Sequence, residues 1–111
     1  MGMAFEEDME VRVSFVGKKG KKRTLPVWFT SHDGVLELLP MHGLRTKWFE
    51  DLEPSGKLTV RGWKETREGV PRVVRDAAEV DRIKGRFAKK YGEGDVRRFY
   101  PTSEVALLLD V

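Results

Sequence analysis

The sequence predicts a mainly β domain with helices (α+β), in which an antiparallel sheet closes into a small barrel. Short segments of alternating apolar and polar residues follow one another closely. Hairpin signals separate them, and a single helical segment is long enough for a crossover connection. We therefore expect about six or seven strands, one long helix and one or two short helices. A closed barrel would also leave no strand edge exposed.

The first half of the chain predicts three strands and a short helix. Residues 10–16 alternate as a half-buried strand, and a glycine-containing turn follows. A second strand is expected over residues 25–30, and an Asp-Gly turn leads into a third strand over 35–39. Thr46 is positioned to cap a short helix over residues 47–52.

The second half predicts three more strands and the long helix. Residues 57–63 alternate again, and we expect the chain to turn at Glu68-Gly69 and return as a strand over 70–75. In the last strand, over residues 104–111, both faces are apolar. This strand should therefore be buried on both sides.

Residues 76–91 form the clearest helix. Asp76 followed by Glu79 is a capping-box pattern, and Gly92 ends the segment. One face carries an apolar stripe at steps of three and four residues, made of Ala77, Val80, Ile83, Phe87 and Tyr91. A short turn or helix is expected over residues 95–100.

Composition indicates a single, highly charged domain. The chain has 111 residues, of which 40% are hydrophobic and 35% are charged. We expect one domain over residues 10–111, preceded by a flexible arm over residues 1–9. The sequence has no apolar run near the roughly 20 residues of a membrane span. Its acidic N-terminus has no apolar signal core, so we expect a cytoplasmic protein.

The absence of certain residue types excludes some kinds of site. There is no Cys, which excludes disulfides, thiolate metal sites and a Cys nucleophile. The chain also has no Asn or Gln and is rich in Lys, Arg and Glu. That composition is typical of a thermophile, although chance in a short chain is the alternative. His32 and His42 have no closely spaced carboxylates, so we predict no metal site.

A basic hairpin lies between the first two predicted strands; we define it as Lys18, Lys19, Lys21, Lys22 and Arg23. It has two interpretations. The cations either form a solvated turn or contribute to phosphate binding, which the position of Arg23 at the start of a strand would allow. The net charge of +3 is small for a nucleic-acid-binding domain, so we do not expect a nucleic-acid partner.

The densest group of polar, cationic and aromatic residues is His42, Gly43, Thr46, Lys47 and Trp48. A helix N-terminus offers unpaired N–H groups and partial positive charge. Thr46 adds a hydroxyl and Lys47 a full cation at the same place. We therefore predict a phosphate site here; the plain alternative is an ordinary N-cap beside a surface lysine.

No motif assigns catalysis to a particular side chain. The sequence contains neither a nucleophile elbow nor a P-loop or dinucleotide fingerprint. Catalytic residues are therefore unknown, with His42 and Tyr100 the best candidates for a proton donor. If the protein is an enzyme, a cofactor carries its reaction.

The stretch LPVWFTSHDGVLELLPMHGLRTKW over residues 25–48 resembles the split β-barrel flavin-binding superfamily. This is the pyridoxamine-phosphate-oxidase-like superfamily, which includes small deazaflavin-dependent nitroreductase-like proteins. The later order of a hairpin, a helix ending in FAKKYG and a terminal strand is also similar. The resemblance covers roughly residues 10–111. It implies a homodimeric split β-barrel that holds FMN or a deazaflavin at the dimer interface.

The resemblance also implies roles for individual residues. Trp28 and Phe29 would lie beside the ring of the cofactor. Thr46 and Lys47 would hold its phosphate, with Arg23 or Arg45 as a second cation. The ring edge and ribityl chain would lie along the loop that ends in the Thr-Lys-Trp motif, with contacts from Leu39, Pro40, Met41, His42, Gly43 and Trp48.

Three functions stay open at this stage. The leading hypothesis is an FMN- or deazaflavin-dependent oxidoreductase that transfers hydride to a small organic substrate. The second is a homodimeric binding module without redox turnover, which carries flavin or haem or no cofactor. The third is a small nucleic-acid-binding barrel, which is disfavoured because basic and aromatic residues are not interleaved.

Overall fold

The computed structural model describes residues 9–52, 56–102 and 104–110. The predicted arm over residues 1–9 lies outside the described residues, except for Met9. The strands are β1 (Val11–Val16), β2 (Lys22–Val27), β3 (Phe29–His32), β4 (Val35–Leu38), β5 (Leu58–Arg61), β6 (Thr66–Gly69), β7 (Arg72–Val74) and β8 (Ala106–Asp110). The α-helices are α1 (Lys47–Asp51), α2 (Ala77–Tyr91) and α3 (Glu93–Phe99), and a 3-10 turn covers Gly43–Arg45.

Two four-stranded antiparallel sheets make up the barrel. The first has the order β2-β1-β5-β6 and the second β3-β4-β8-β7. Only Trp28 separates β2 from β3, and only residues 70–71 separate β6 from β7. The chain therefore bends from the first sheet into the second at two places, from β2 into β3 and from β6 into β7, and these two bends close the barrel. The eight segments form six continuous strands, in agreement with the predicted antiparallel barrel.

The barrel interior is filled by apolar side chains from both sheets. Alternation in β1 directs Val11, Val13 and Phe15 inward, where each is at most 4% exposed. Helix α1 closes one end, because Trp48 and Leu52 pack into the same cluster. Burial of this interior is the main contribution of the barrel to stability.

A second apolar cluster joins the long helix to the outer face of the second sheet. Most of the predicted stripe of α2 is confirmed: Val80, Ile83 and Phe87 are fully buried against this sheet and Tyr91 is partly buried, whereas Ala77 in the first turn is exposed. Strand β8 is buried on both faces, as its sequence predicts. Ala106 and Leu108 contact the helical side, whereas Leu107 and Leu109 point into the barrel.

Several strand ends differ from the sequence prediction by one to three residues, and two differences change the course of the chain. The strand predicted over residues 25–30 is divided at Trp28 between the two sheets. The turn predicted at Glu68-Gly69 is wrong, because both residues pair with β5. The hairpin turn lies instead at residues 62–65, where the Gly62 amide donates to the Glu65 carbonyl at 2.8 Å.

The described part of the chain contains no helix long and apolar enough to cross a membrane.

Candidate functional site

The corner at Trp28 is where the chain passes between the sheets, so its backbone leaves one ladder before entering the next. Residues at the end of α2 bind this backbone. The Phe29 amide donates to the Tyr91 hydroxyl at 3.0 Å, and Lys90 donates to the Phe29 carbonyl at 3.1 Å. The Trp28 ring stacks on Tyr91 with centroids 4.2 Å apart and planes inclined by 8°. The corner is therefore fixed through both its backbone and its side chain.

A cleft of about 330 Å³ opens beside this corner. We call it the corner cleft. Its walls are the end of β2, the segment after β4 and the end of α3. It is lined by Glu10, Leu25, Pro26, Val27, Trp28, Leu39, Met41, His42, Thr46, Trp48, Phe99 and Tyr100. Its size falls at the lower end of the roughly 300–1,000 Å³ range of ligand pockets, and its lining is mainly apolar and aromatic.

A compact turn shapes the loop side of the cleft. The Gly43 amide donates to the Pro40 carbonyl at 3.1 Å, and the Thr46 amide donates to Gly43 at 3.2 Å. Gly43 has a φ of +56°, which a glycine adopts without steric cost. The Thr46 hydroxyl accepts a hydrogen bond from the His42 amide at 2.8 Å. The loop is thus held in one conformation by its own polar groups.

Charge and hydroxyl groups are unevenly distributed around the cleft. Among the described lining residues, Glu10 carries a carboxylate and none is Lys or Arg. Arg45 and Lys47 flank Thr46 in sequence and are exposed. Burial raises the pKa of Tyr100, so its hydroxyl stays protonated at neutral pH. The cleft therefore offers an apolar interior with hydroxyl groups. The cations nearest to its lining in sequence are Arg45 and Lys47, which do not themselves line it.

Comparison with known proteins shows what this architecture is similar to. The sequence matches no protein-family model and no curated protein. Among solved structures, an F420-H2-dependent reductase superposes with a TM-score of 0.68 at 13% identity, over 99% of both chains. The haem-storage protein HutZ from Vibrio cholerae gives 0.69 at 14% identity, over 93% of this chain and 80% of that one. A structure described as a domain-swapped dimer gives 0.70 at 14% identity, over 92% and 80%.

The chain has the split β-barrel fold. The resemblance of residues 25–48 to that superfamily is therefore confirmed at the level of the fold. In this split barrel the matching stretch runs from β2 through the Trp28 corner and β4 to α1. It includes nine of the twelve cleft-lining residues: those from Leu25 to Val27, Trp28, Leu39, Met41, His42, Thr46 and Trp48.

The split barrel brings half of the predicted site residues together at the cleft. These are Trp28, Leu39, Met41, His42, Thr46 and Trp48. Trp48 is only 7% exposed and belongs to the barrel interior, so it closes the floor of the cleft. The Thr46 hydroxyl already accepts the His42 amide, and it caps no helical N–H group. Its role in the loop was not apparent from the capping pattern.

The other predicted residues do not line the cleft. Arg23 forms an ion pair with Asp51 at 3.5 Å, which ties the basic hairpin to α1. Phe29 is 1% exposed in the barrel interior. Pro40 is buried, and Gly43 packs against Glu104, whose carboxylate would clash with an added Cβ. Lys47 is exposed on α1, a helix of only five residues with a correspondingly small dipole.

Several residues at or beside the cleft were not predicted from the sequence. Glu10 lies just before β1, and Phe99 ends α3. Tyr91 was predicted only as part of an apolar stripe, yet its hydroxyl binds the backbone at the corner. The presence of a tyrosine in an apolar stripe was the available signal, because a buried tyrosine hydroxyl usually has a hydrogen-bond partner. In the described part of the chain, no group of three or more His, Asp or Glu residues could hold a metal ion.

Proposed function

We propose that this protein binds a flavin-type nucleotide, either FMN or a deazaflavin, with the ring in the corner cleft. The observation that carries the proposal is the apolar and aromatic lining of the cleft beside the stacked Trp28 and Tyr91 rings. A planar heteroaromatic ring buries apolar faces and keeps polar edges. Trp28 and Met41 suit the faces, while Thr46 and Tyr100 offer hydroxyl groups to the edges.

The phosphate would lie outside the cleft interior, because the described lining residues include no Lys or Arg. Exposed Arg45 and Lys47 on either side of Thr46 are the cations that we propose to hold it. The five-residue helix α1 adds little to this attraction, so side-chain charge has to supply most of it. Arg23 would contribute only if its ion pair with Asp51 opened.

We also propose that the protein acts as a homodimer and as an oxidoreductase. One structural neighbour is described as a domain-swapped dimer, and another as an F420-H2-dependent reductase. Bound flavin or deazaflavin would supply hydride transfer to a small organic substrate. The residues of this chain would orient the ring, exclude water from its faces and hold its phosphate.

Haem carriage is the second candidate, and His42 is the observation that favours it. An imidazole at the edge of an apolar cleft is a common type of axial haem ligand. A haem-storage protein is also among the neighbours of similar fold. In this case His42→Ala should abolish haem binding, whereas flavin binding should be only weakly affected.

Titrations of the purified protein with FMN, F420 and haemin distinguish these functions. We expect saturable binding of FMN or F420, with quenching of flavin or deazaflavin fluorescence. Lys47→Ala should weaken FMN by roughly tenfold, since a charged hydrogen bond contributes about 1.5–3 kcal/mol. It should leave riboflavin, which has no phosphate, nearly unchanged.

Lys64→Ala is the matched control, because Lys64 is an exposed lysine in the hairpin turn at residues 62–65 and does not line the cleft. It should affect neither ligand. Equal losses of FMN and riboflavin affinity in Lys47→Ala would show that Lys47 does not contact phosphate. Binding of haemin alone would replace the flavin proposal with haem carriage. Light scattering after size-exclusion chromatography should give the mass of a dimer, and a strict monomer would contradict the dimer proposal.

A further inference from the structure

The Tyr91 hydroxyl connects three segments that are distant in sequence. It accepts the Phe29 amide at 3.0 Å. It lies 2.7 Å from the Met9 carbonyl and 3.0 Å from the Phe29 carbonyl, either of which can accept its single proton. The Met9 carbonyl is the nearer of the two acceptors, and the Phe29 carbonyl also accepts from Lys90. One hydroxyl therefore holds both the corner and the segment that precedes β1.

Each of these bonds lies next to a residue of the cleft wall. Met9 is followed by Glu10, and Phe29 is preceded by Trp28; Glu10 and Trp28 both line the corner cleft. Tyr91 itself is not a lining residue, but its ring supports the face of Trp28 at a centroid distance of 4.2 Å. The positions of two cleft-lining residues, Glu10 and Trp28, thus depend on one side chain behind them.

We infer that Tyr91 is a positioning residue for the corner cleft, which sets the place of Trp28 and Glu10 toward the bound ligand. The inference rests in part on the proposed flavin function, because the ligand that it serves is the flavin ring. Its structural content is independent of that ligand. Without the hydroxyl, the Phe29 amide and the Met9 carbonyl lose this hydrogen bond, and the bend between β2 and β3 is held less firmly.

Polar groups that leave a ladder at a bend need other partners. Here the partners of the Phe29 backbone come from the last turn of α2, where Tyr91 accepts from its amide and Lys90 donates to its carbonyl. The Lys90 nitrogen also lies over the Phe29 ring, 3.4 Å from the ring centroid. Burial raises the pKa of Tyr91 to about 12, so the hydroxyl keeps its proton across the neutral range. The hydrogen bonds of the Tyr91 hydroxyl therefore do not change with pH in the neutral range.

Tyr91→Phe tests the inference because it keeps the ring and removes only the hydroxyl. In the ligand-free protein, amide hydrogen exchange followed by NMR should be at least tenfold faster at Phe29 than in the wild type. Exchange at Val13, in the middle of β1, should not change. Tyr100→Phe is the matched control: it also removes a tyrosine hydroxyl, and it should leave exchange at Phe29 unaltered.

Ligand affinity provides the second measurement. Tyr91→Phe should raise the Kd for FMN about tenfold at 25 °C while the protein remains fully folded, and Lys90→Met should have a smaller effect in the same direction. Unchanged exchange at Phe29 in Tyr91→Phe would overturn the inference, as would equal acceleration at Phe29 and Val13, which indicates general destabilisation. Faster exchange with unchanged FMN affinity would also overturn it. If the wild type binds no flavin, the proposed function fails, and exchange at Phe29 still decides whether Tyr91 fixes the corner.

Discussion

Replacing Arg86 by Met should strongly destabilise the fold, because it leaves the buried Glu37 without its cation. Glu37 on β4 is 3% exposed and faces α2. Its Oε1 accepts from Thr30 Oγ1 at 2.7 Å and from Arg86 Nε at 2.8 Å, and its Oε2 accepts from a second Arg86 nitrogen. This bidentate pair joins the second sheet to the long helix. The Glu37 pair holds in place the helix whose last turn supports the cleft.

The expected loss follows from the burial of the two partners. Removing one member of a buried ion pair typically costs about 3–5 kcal/mol, because the remaining charge is uncompensated. The Arg86 side chain is 25% exposed, so water can partly solvate the carboxylate, and we expect about 3 kcal/mol. A domain of this length has a total stability of roughly 6–17 kcal/mol at about 0.05–0.15 kcal/mol per residue. The variant should therefore lose a large fraction of its stability.

Urea unfolding followed by circular dichroism measures this loss. Arg82→Met is the matched control: Arg82 lies one turn earlier on α2 and pairs with Glu79 on the exposed face, so its loss should destabilise the protein far less. The double variant Glu37→Met with Arg86→Met should be more stable than Arg86→Met alone, since no buried charge remains. Losses that are equal in Arg86→Met and Arg82→Met would refute this reasoning.

Two further predictions concern backbone strain and alkaline pH. Gly43→Ala should cost roughly 1–2 kcal/mol of unfolding free energy, because φ is +56° and the added Cβ meets Glu104; Gly85→Ala on α2, where a Cβ meets nothing within 4 Å, should stabilise by about 0.5–1 kcal/mol. Losses of equal size in both glycine variants would contradict the strain argument. Burial raises the pKa of Tyr91 to about 12 and also raises that of Tyr100, whereas unfolded tyrosines titrate near 10. Below about pH 10 both states keep these protons, and above it only the folded state does, so the free energy of unfolding should fall as the pH rises from about 10 to about 12. The urea midpoint should follow this decline, with a shallower slope in Tyr91→Phe; equal slopes would contradict the assignment to Tyr91.

Local periodicity accounts for the parts of the fold that were predicted correctly. The alternation in β1 reflects a face that is buried along the whole strand, and the stripe on α2 reflects a face that is buried from Val80 to Phe87. The two apolar faces of β8 correspond to its position between the barrel interior and the helices. In each case the environment of a residue follows from its neighbours in sequence.

The bend at Trp28 could not be predicted in this way. Alternation continues through it, because Val27 and Phe29 both belong to the barrel interior and Trp28 points away. A strand that changes sheets without changing its period looks like one continuous strand. The bend depends on contacts with Tyr91 and Lys90, which lie more than 60 residues further along the chain.

The polar details of the candidate site could not be predicted from the sequence. Met41, His42, Thr46 and Trp48 line the cleft, whereas Gly43 and Lys47 do not, and the Thr46 hydroxyl accepts the His42 amide instead of capping a helix. Glu37 was overlooked because its strand is otherwise apolar and its partner Arg86 lies on another element. Pairing of distant polar groups leaves no periodic signal in the sequence.

The most direct test of the account is an NMR titration of the ¹⁵N-labelled protein with FMN. The central claim is that a flavin-type ring binds in the corner cleft. We predict that the largest chemical-shift changes occur at the Trp28 indole and at the amides of Met41, His42 and Thr46. No shift changes with either saturating FMN or, in a parallel titration, saturating F420 would contradict the claim, as would changes confined to the basic hairpin.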